Sequence, residues 1–423
     1  MSNKPSLLVY SDCYIYGGSE RLMSFLIRNP LILEKYHITF AYRKHKIYQE
    51  GINNEFTDQE ERKLLFPVRI ISNSTLFYKI NLTRHPVLLK KVVKIPLLIL
   101  DKLGIYFVYN ILSHISTLKK ISPDLIHINN GGYPAARSCN AMVVAAKLLR
   151  INNIVYQVNN MAQKRSGLID CLFDTFINKN VCCFITASKQ AKEKLVKERK
   201  INRNKILQIP NTIQYESPSL SRDEILNRLN INLTDFVICT VGILTERKGQ
   251  KYLLKALYNI SLNQPTIFVK IRLILVGDGE DEHYLKKYVK EHQLIEHVFF
   301  VGYQSKAVNY INACDIFVLP SIASEDMPLV VLSAMSIGKT ILSSDFAGIR
   351  EEIENEISGI LVSPNIDTIA TDLSDKIIEL FNKRVNSYGE EAKKRFNNLF
   401  STQIYGHALV NLYNTVMEQN YRE

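Results

Sequence analysis

Through the first half of the chain, short β-branched apolar runs alternate with amphipathic stretches; the runs fall at residues 7–10, 37–42, 125–128, 154–158 and 183–187. Alternation of this kind predicts parallel strands joined by helices. After Ser188 the pattern changes to KQAKEKLVKERK, which predicts a strongly basic helix with Ala191, Leu195 and Val196 on its inner side. A second series of apolar runs follows Pro210, at residues 237–241, 271–276, 298–301, 316–319 and 340–343, again separated by helical segments. Between the two series lies IPNTIQYESPS (209–219), where two prolines and several turn formers break both periods and mark a boundary. The last helical stretch, residues 402–418, comes after a complete second series and is available to pack elsewhere.

At 423 residues the chain exceeds what one hydrophobic core serves, which agrees with two α/β domains of roughly 200 residues each. Two doubly wound lobes facing one another would bring the carboxyl ends of both sheets to a shared cleft, where such sheets bind ligands. A hydrophobic share of 46% with 22% charged residues, and no low-complexity tract or repeat, excludes a disordered, fibrous or solenoid chain. The net charge of +12 is unevenly spread: residues 1–210 hold 32 Lys and Arg against 14 Asp and Glu, and the rest of the chain is acidic. A basic half suits an anionic partner, be it nucleic acid, a phospholipid surface or a diphosphate-bearing substrate; a merely lysine-rich, solvated surface gives the same count. Its basic residues are scattered over α/β units without a nucleic-acid-binding motif, so no nucleic-acid partner is expected.

The cysteines, Cys13, Cys139, Cys171, Cys182, Cys183, Cys239 and Cys314, form no C-x-x-C pair and have no histidine at zinc-ligand spacing. They read as small apolar residues in a reducing compartment, and the first nine residues lack the pattern of a secretory signal, so a cytoplasmic protein is expected. The most apolar region, residues 86–112, is interrupted by Lys90, Lys91, Lys94, Asp101 and Lys102. It therefore lacks the ~20 clean apolar residues of a membrane span. Its mixture of basic, bulky apolar and aromatic residues is that of an interfacial membrane segment, or of a buried helix pair in the first lobe.

Three loops carry candidate chemistry. Tyr14-Ile15-Tyr16 leads into Gly17-Gly18-Ser19-Glu20-Arg21 between a strand and a helix, where glycine lets backbone approach a ligand and the helix start offers N–H groups to an anion; a plain tight turn reads the same way. The second-lobe counterpart runs from Val241 and Gly242 through Arg247-Lys248-Gly249, with Lys248 placed to reach a phosphate and Arg247 beside it. In the third, residues 315–335, a buried strand exits through Pro320 and Ser321 to Ser324-Glu325-Asp326-Met327-Pro328 and an apolar helix starting at Leu329. Proline near the first helical turn leaves the amides of Leu329 and Val330 facing an anion. Glu325 before that helix is fit to accept hydrogen bonds from sugar hydroxyls, or serves only as a helix-terminal charge.

The segments IPNTI (209–213), VGILTERKGQKYLLKAL (241–257), LILVGDGEDEHYL (273–285), VFFVGY (298–303) and ACDIFVLPSIASEDMPLVVLSAM (313–335) resemble those of the retaining GT-B glycosyltransferases of family 4, within the glycosyl transferases group 1. The GGSER loop and PDLIHINN (123–130) resemble the matching first-lobe elements, and only residues 45–120 or so lie outside the likeness. The resemblance implies an α/β GT-B fold of two Rossmann-like lobes: residues 1–208 on the acceptor side, with 403–423 packing back on them, and residues 209–402 binding the nucleotide sugar. It implies a sugar-nucleotide donor, a sugar or lipid-linked acceptor, and no metal or other cofactor. It implies further that Gly17 and Gly18 lie near the donor diphosphate, that Lys248, helped by Arg247, neutralises it, that Glu325 holds the transferred sugar, and that the Leu329 and Val330 amides bind phosphate.

Three positions depart from the family pattern. Its second glutamate is replaced by Ser333, whose hydroxyl can reach a ribose; its basic residue in the phosphate loop is replaced by Ile243; and its second first-lobe histidine becomes Asn129, which can donate a hydrogen bond to a sugar hydroxyl but cannot shuttle a proton. His127 reads as a structural strand residue. The expected protein is thus a hexose-transferring enzyme of surface-polysaccharide, lipopolysaccharide or glycolipid assembly, working peripherally on an anionic cytoplasmic membrane face. Glu325, Lys248 and Asn129 would carry catalysis. The alternative is a non-catalytic relative that binds a glycan or a partner.

Overall fold

In the computed structural model, residues 4–13, 16–83, 85–383 and 387–420 are described, so Met1–Asn3 and the Tyr14-Ile15 start of the first glycine loop lie outside the described residues. The chain divides into two compact units, residues 1–209 with 405–423 and residues 210–404. The first divide falls inside IPNTIQYESPS, between Ile209 and Pro210, and the return falls just inside the final helix, Thr402–Asn420.

The first unit is built on β1 (Ser6–Ser11), β2 (His37–Arg43), β3 (Leu65–Val68), β4 (Leu125–Asn130), β5 (Ile154–Val158), β6 (Cys183–Thr186) and β7 (Ile206–Gln208). They form a parallel sheet in the order β3-β2-β1-β4-β5-β6-β7. The strand order reverses at β1 and β4, and their register sets Ser11 beside Asn129 at the carboxyl end. Every residue of β4 is buried, as a central strand covered on both faces requires. Above it pack Tyr10, Tyr133, Tyr156 and Phe184, with the Tyr133 and Tyr156 rings edge to face at 5.7 Å.

Local chemistry explains the basic helix Lys189–Arg199. Ser188 caps it by accepting from the Ala191 amide at 3.0 Å, and Ala191 and Leu195 are buried as their spacing predicts. Val196 is only half-buried; its expected inner place is shared by Arg199, a buried cation that pairs with Asp174 at 2.9 Å and Asp170 at 3.1 Å. The final helix belongs to this unit from Tyr405 onward: Leu409, Val410, Tyr413 and Val416 are buried, and the Tyr36 hydroxyl donates to Asn414 at 3.0 Å.

The second unit is built on β8 (Phe236–Val241), β9 (Ile271–Val276), β10 (Val298–Gly302), β11 (Ile316–Leu319), β12 (Thr340–Ser344) and β13 (Ile360–Val362). These are parallel in the order β10-β9-β8-β11-β12-β13. Three strands escape the sequence pattern: β3, β7 and β13. All three lie at sheet edges and are short, and β3 contains Pro67, which an edge tolerates because its missing N–H need not join the ladder.

Residues 86–112 form parts of two helices, Val87–Lys102 and Ile105–Ile121, joined at Gly104, whose φ of 78° is a conformation glycine adopts without strain. Among the described residues no single helix is long and apolar enough to cross a membrane; these two reach that apolar content only together, bent by 64°. The buried-pair alternative holds for the second helix, which buries Tyr106, Asn110, His114, Thr117 and Leu118. None of the residues of Val87–Lys102, all of them described, is buried.

Candidate active site

In the second unit the carboxyl ends of β8 and β11 deliver two loops to one place. Gly249, with φ of 74°, ends the tight turn Glu246–Lys248; a side chain there would bring a Cβ within 1.9 Å of the Pro320 carbonyl oxygen, so only glycine lets the loop after β8 lie against the exit of β11. The contact is completed by the Ile322 amide, which donates to the Arg247 carbonyl at 2.9 Å. Side chains from the two loops then meet. Lys248 Nζ lies 2.7 Å from Glu325 Oε1, and Arg247 Nη1 donates to the same oxygen and to the Ser324 carbonyl. Glu325 and Lys248 are both buried, while Arg247 stays partly open to water. Sequence reading placed Lys248 and Glu325 at the same site; the ion pair itself depends on a contact between positions 77 residues apart and was not foreseen.

Below this pair, Asn211 donates to the Met327 carbonyl at 2.8 Å, holding the loop just ahead of Pro328. The helix Leu329–Ser336 begins there with Leu329 and Val330 half-buried, and the first amides of a helix have no partner within it. Ser333 donates its hydroxyl to the Leu329 carbonyl at 3.0 Å, inside its own helix. Glu352 was missed entirely. It is fully buried, neither of its carboxyl oxygens has a hydrogen-bond partner among the described residues, and its pKa is pushed well up by burial and then by the charges of Asp326 and Glu325, against the pull of Lys248. Nothing in IREEIENE separates it from Glu351 or Glu354; burial alone does.

In the first unit the corresponding loop is held by a chain of hydrogen bonds that all run one way. The Tyr413 hydroxyl donates to His127 Nδ1 (2.7 Å), His127 Nε2 to Gln157 Oε1 (3.0 Å), and Gln157 Nε2 to Asn159 Oδ1 (2.9 Å). Asn159 Nδ2 donates to Asn129 Oδ1, Asn129 Nδ2 to the Ser11 hydroxyl (2.9 Å), and Ser11 to Glu20 Oε1 (3.2 Å). Glu20 Oε2 in turn accepts from the Gly17 amide (3.0 Å) and the Ser19 hydroxyl (2.8 Å), at the start of the helix Gly18–Ile27. Asn129 is thus enclosed with both ends of its amide occupied, and the Gly17 N–H is already turned on a carboxylate of the protein. Burial is the main influence on two ionisable members of the chain: it raises the pKa of Glu20 and lowers that of His127 to about 4, favouring their neutral forms. His127 is structural, as its strand position suggested.

Residues 221–396 match the family Glycosyl transferases group 1. The match spans most of the second unit. The Escherichia coli UDP-Gal:alpha-D-GlcNAc-diphosphoundecaprenol alpha-1,3-galactosyltransferase is 26% identical over 65% of this chain and 72% of its own. The capsular polysaccharide biosynthesis glycosyltransferase CapM of Staphylococcus aureus is 22% identical over 56% of this chain and 62% of its own. Among solved structures, Anabaena HepE in complex with UDP superposes with a TM-score of 0.73 at 16% identity, covering 97% of this chain and all of that one, and sucrose-phosphate synthase of Thermosynechococcus elongatus with 0.68 at 18%, covering 98% and all. The fold that these superpositions share is GT-B.

Proposed function

We propose that the chain is a retaining, family 4-type enzyme that moves a hexose from a nucleotide-diphosphate sugar to an acceptor hydroxyl during assembly of a cell-surface polysaccharide, lipopolysaccharide or glycolipid. The observation that carries this reading is the cluster of Lys248, Arg247 and Glu325 on the loops after β8 and β11, at the carboxyl ends of a doubly wound sheet and next to the start of the Leu329–Ser336 helix. Cations, helix amides and a carboxylate side by side offer what a sugar diphosphate needs: positive charge and N–H groups for the diphosphate, and an acceptor for sugar hydroxyls.

In this mechanism the donor separates the pair that exists without it. Lys248 turns from Glu325 to the diphosphate, Arg247 assists, and the Leu329 and Val330 amides take phosphate oxygens. Glu325 is released to the hydroxyls of the sugar, and Ser333 lies on the ribose side. As the bond from the anomeric carbon to the diphosphate breaks, charge develops on the leaving diphosphate, where Lys248 sits; the acceptor oxygen bonds to the same carbon and passes its proton to an oxygen of that diphosphate. The Gly17-Gly18 loop is the first unit's candidate for backbone approach to a phosphate. Asn129 acts through Ser11 and Ser19 by positioning that loop. No metal or other cofactor is assigned to the reaction.

The E. coli relative's name specifies UDP-Gal and a diphosphoundecaprenol-linked acceptor, which makes a UDP-sugar the first donor to try and a lipid-linked sugar the first acceptor. An enzyme using such an acceptor works peripherally at the cytoplasmic face of a membrane. A panel of nucleotide sugars, scored for binding and for donor hydrolysis, tests the reading. Saturable binding of at least one donor, with slow release of its sugar, is expected; silence in both assays across the panel would identify the non-catalytic relative instead.

A further inference from the structure

The helix Val87–Lys102 turns its polar side inward and its apolar side out, and the first turns of Ile105–Ile121 leave further apolar side chains exposed. In the first, the half-buried residues include Lys90, Lys94, Leu97 and Asp101, a spacing of four, three and four that defines one helix face. That face is tied down by polar contacts: Lys90 donates to the Asn81 carbonyl at 3.0 Å, Lys94 to the Asn81 side chain at 2.8 Å, and Asn73 to Asp101 at 2.7 Å. The opposite face carries Leu88, Val92, Ile95 and Ile99, each more than half exposed. In the second helix, Asn110 exchanges hydrogen bonds with the Ile71 backbone at 2.9 and 3.0 Å and His114 bonds the Ser138 carbonyl at 3.1 Å on the buried side, while Val108 and Leu112 are more than half exposed on the other. The Phe107 and Phe173 rings, 4.9 Å apart, join this helix to Leu168–Asn180, whose first turns leave Leu168, Ile169 and Leu172 more than half exposed.

A helix of a water-soluble domain is held by its apolar stripe against the core. Here the stripe of Val87–Lys102 is more than half exposed, and two neighbouring segments extend it well past the scattered apolar residues of an ordinary surface. Exposed Lys91 and Lys102 flank the stripe and can bury their stems along apolar surface while presenting charge to anionic headgroups. The 64° bend, and the insufficient length of either helix alone, suit a segment lying in the plane of an interface. We propose that the outward faces of Val87–Lys102 and Ile105–Ile121, with the first turns of Leu168–Asn180, are a docking surface for an anionic lipid bilayer, their apolar side chains entering the leaflet and Lys91 and Lys102 meeting its phosphates. This deepens the reading of a peripheral transferase and rests on it for the leaflet concerned; the contact is measured without any sugar donor.

Flotation of the full chain with vesicles of phosphatidylcholine, alone or mixed with phosphatidylglycerol, tests it. The protein is expected to float with the mixed vesicles. The combined variant Leu88→Glu, Ile95→Glu and Leu112→Glu is expected to lose at least about tenfold in partitioning, and Lys91→Glu with Lys102→Glu to lose selectivity for the anionic vesicles. Because these side chains face outward, both variants should melt with the parent and hydrolyse donor at its rate. Failure of the parent to float with either vesicle, flotation of the triple variant like the parent, or a lipid-free dimer abolished by the triple variant with no vesicle binding would each overturn the proposal. Persistent donor hydrolysis in those cases would leave the transferase reading standing.

Discussion

The loops after β1 and β8 occupy equivalent places in two sheets of the same kind, yet they hold a buried glutamate in opposite ways. Glu20 accepts from two hydroxyls and the Gly17 amide, at the end of a chain of uncharged donors that begins on the final helix. Glu325 is reached by two cations. Burying a carboxylate without a counter-charge favours its protonated form, whereas pairing it keeps the charge and stores cations next to it. The difference teaches that only the second loop is electrostatically prepared for an anionic ligand. The first is prepared for rigidity.

Breaking the charged cluster should produce the largest effect. Lys248→Ala and Glu325→Ala are each expected to lower the transfer rate at least tenfold, about 1.4 kcal/mol or more of barrier, in initial-rate assays at saturating donor; rates like the parent's would place the site elsewhere. Glu325→Gln then separates charge from shape: Lys248 and Arg247 lose their counter-ion, and thermal unfolding at neutral pH should show a loss of about 2 kcal/mol. The same change at Glu20 should have the opposite sign. Its folded pKa is raised, so the folded state holds its proton where the unfolded chain has released it, and stability falls as pH climbs above the ordinary glutamate value. Glu20→Gln, whose amide NH₂ can donate to Ser11 where Glu20 accepts from it, is therefore expected to gain up to about 1 kcal/mol at pH 7 and nothing near pH 4. A loss at pH 7, or the same gain at both pH values, would end the contrast between the two loops.

How much of this was legible beforehand follows from the range of each interaction. The central strands, the two-unit layout, the start of the final helix, and the placement of Gly17, Lys248, Glu325 and Leu329 at strand ends and helix starts are written in local periodicity and in glycine and proline punctuation, which act within a few residues. The short edge strands left little trace, because three or four residues with one solvent-facing edge need no strong apolar pattern. The apolar content of residues 86–112 could be read, but not which way it pointed, since an amphipathic pattern gives a stripe and never says what covers it.

By itself, then, the sequence determined which residues sit at the ends of strands and which faces of helices are apolar. Only tertiary structure decided that Arg247 and Lys248 share one oxygen of Glu325, that Asn129 is a link in a relay of hydrogen bonds rather than an open side chain, that Glu352 is buried with no hydrogen-bond partner among the described residues, and that the helix Val87–Lys102 faces outward with its leucines and isoleucines. Each of these depends on which segments, dozens to hundreds of residues apart, pack together. Burial, which sets both the charge state of a carboxyl and the cost of an exposed apolar face, exists only once they have done so.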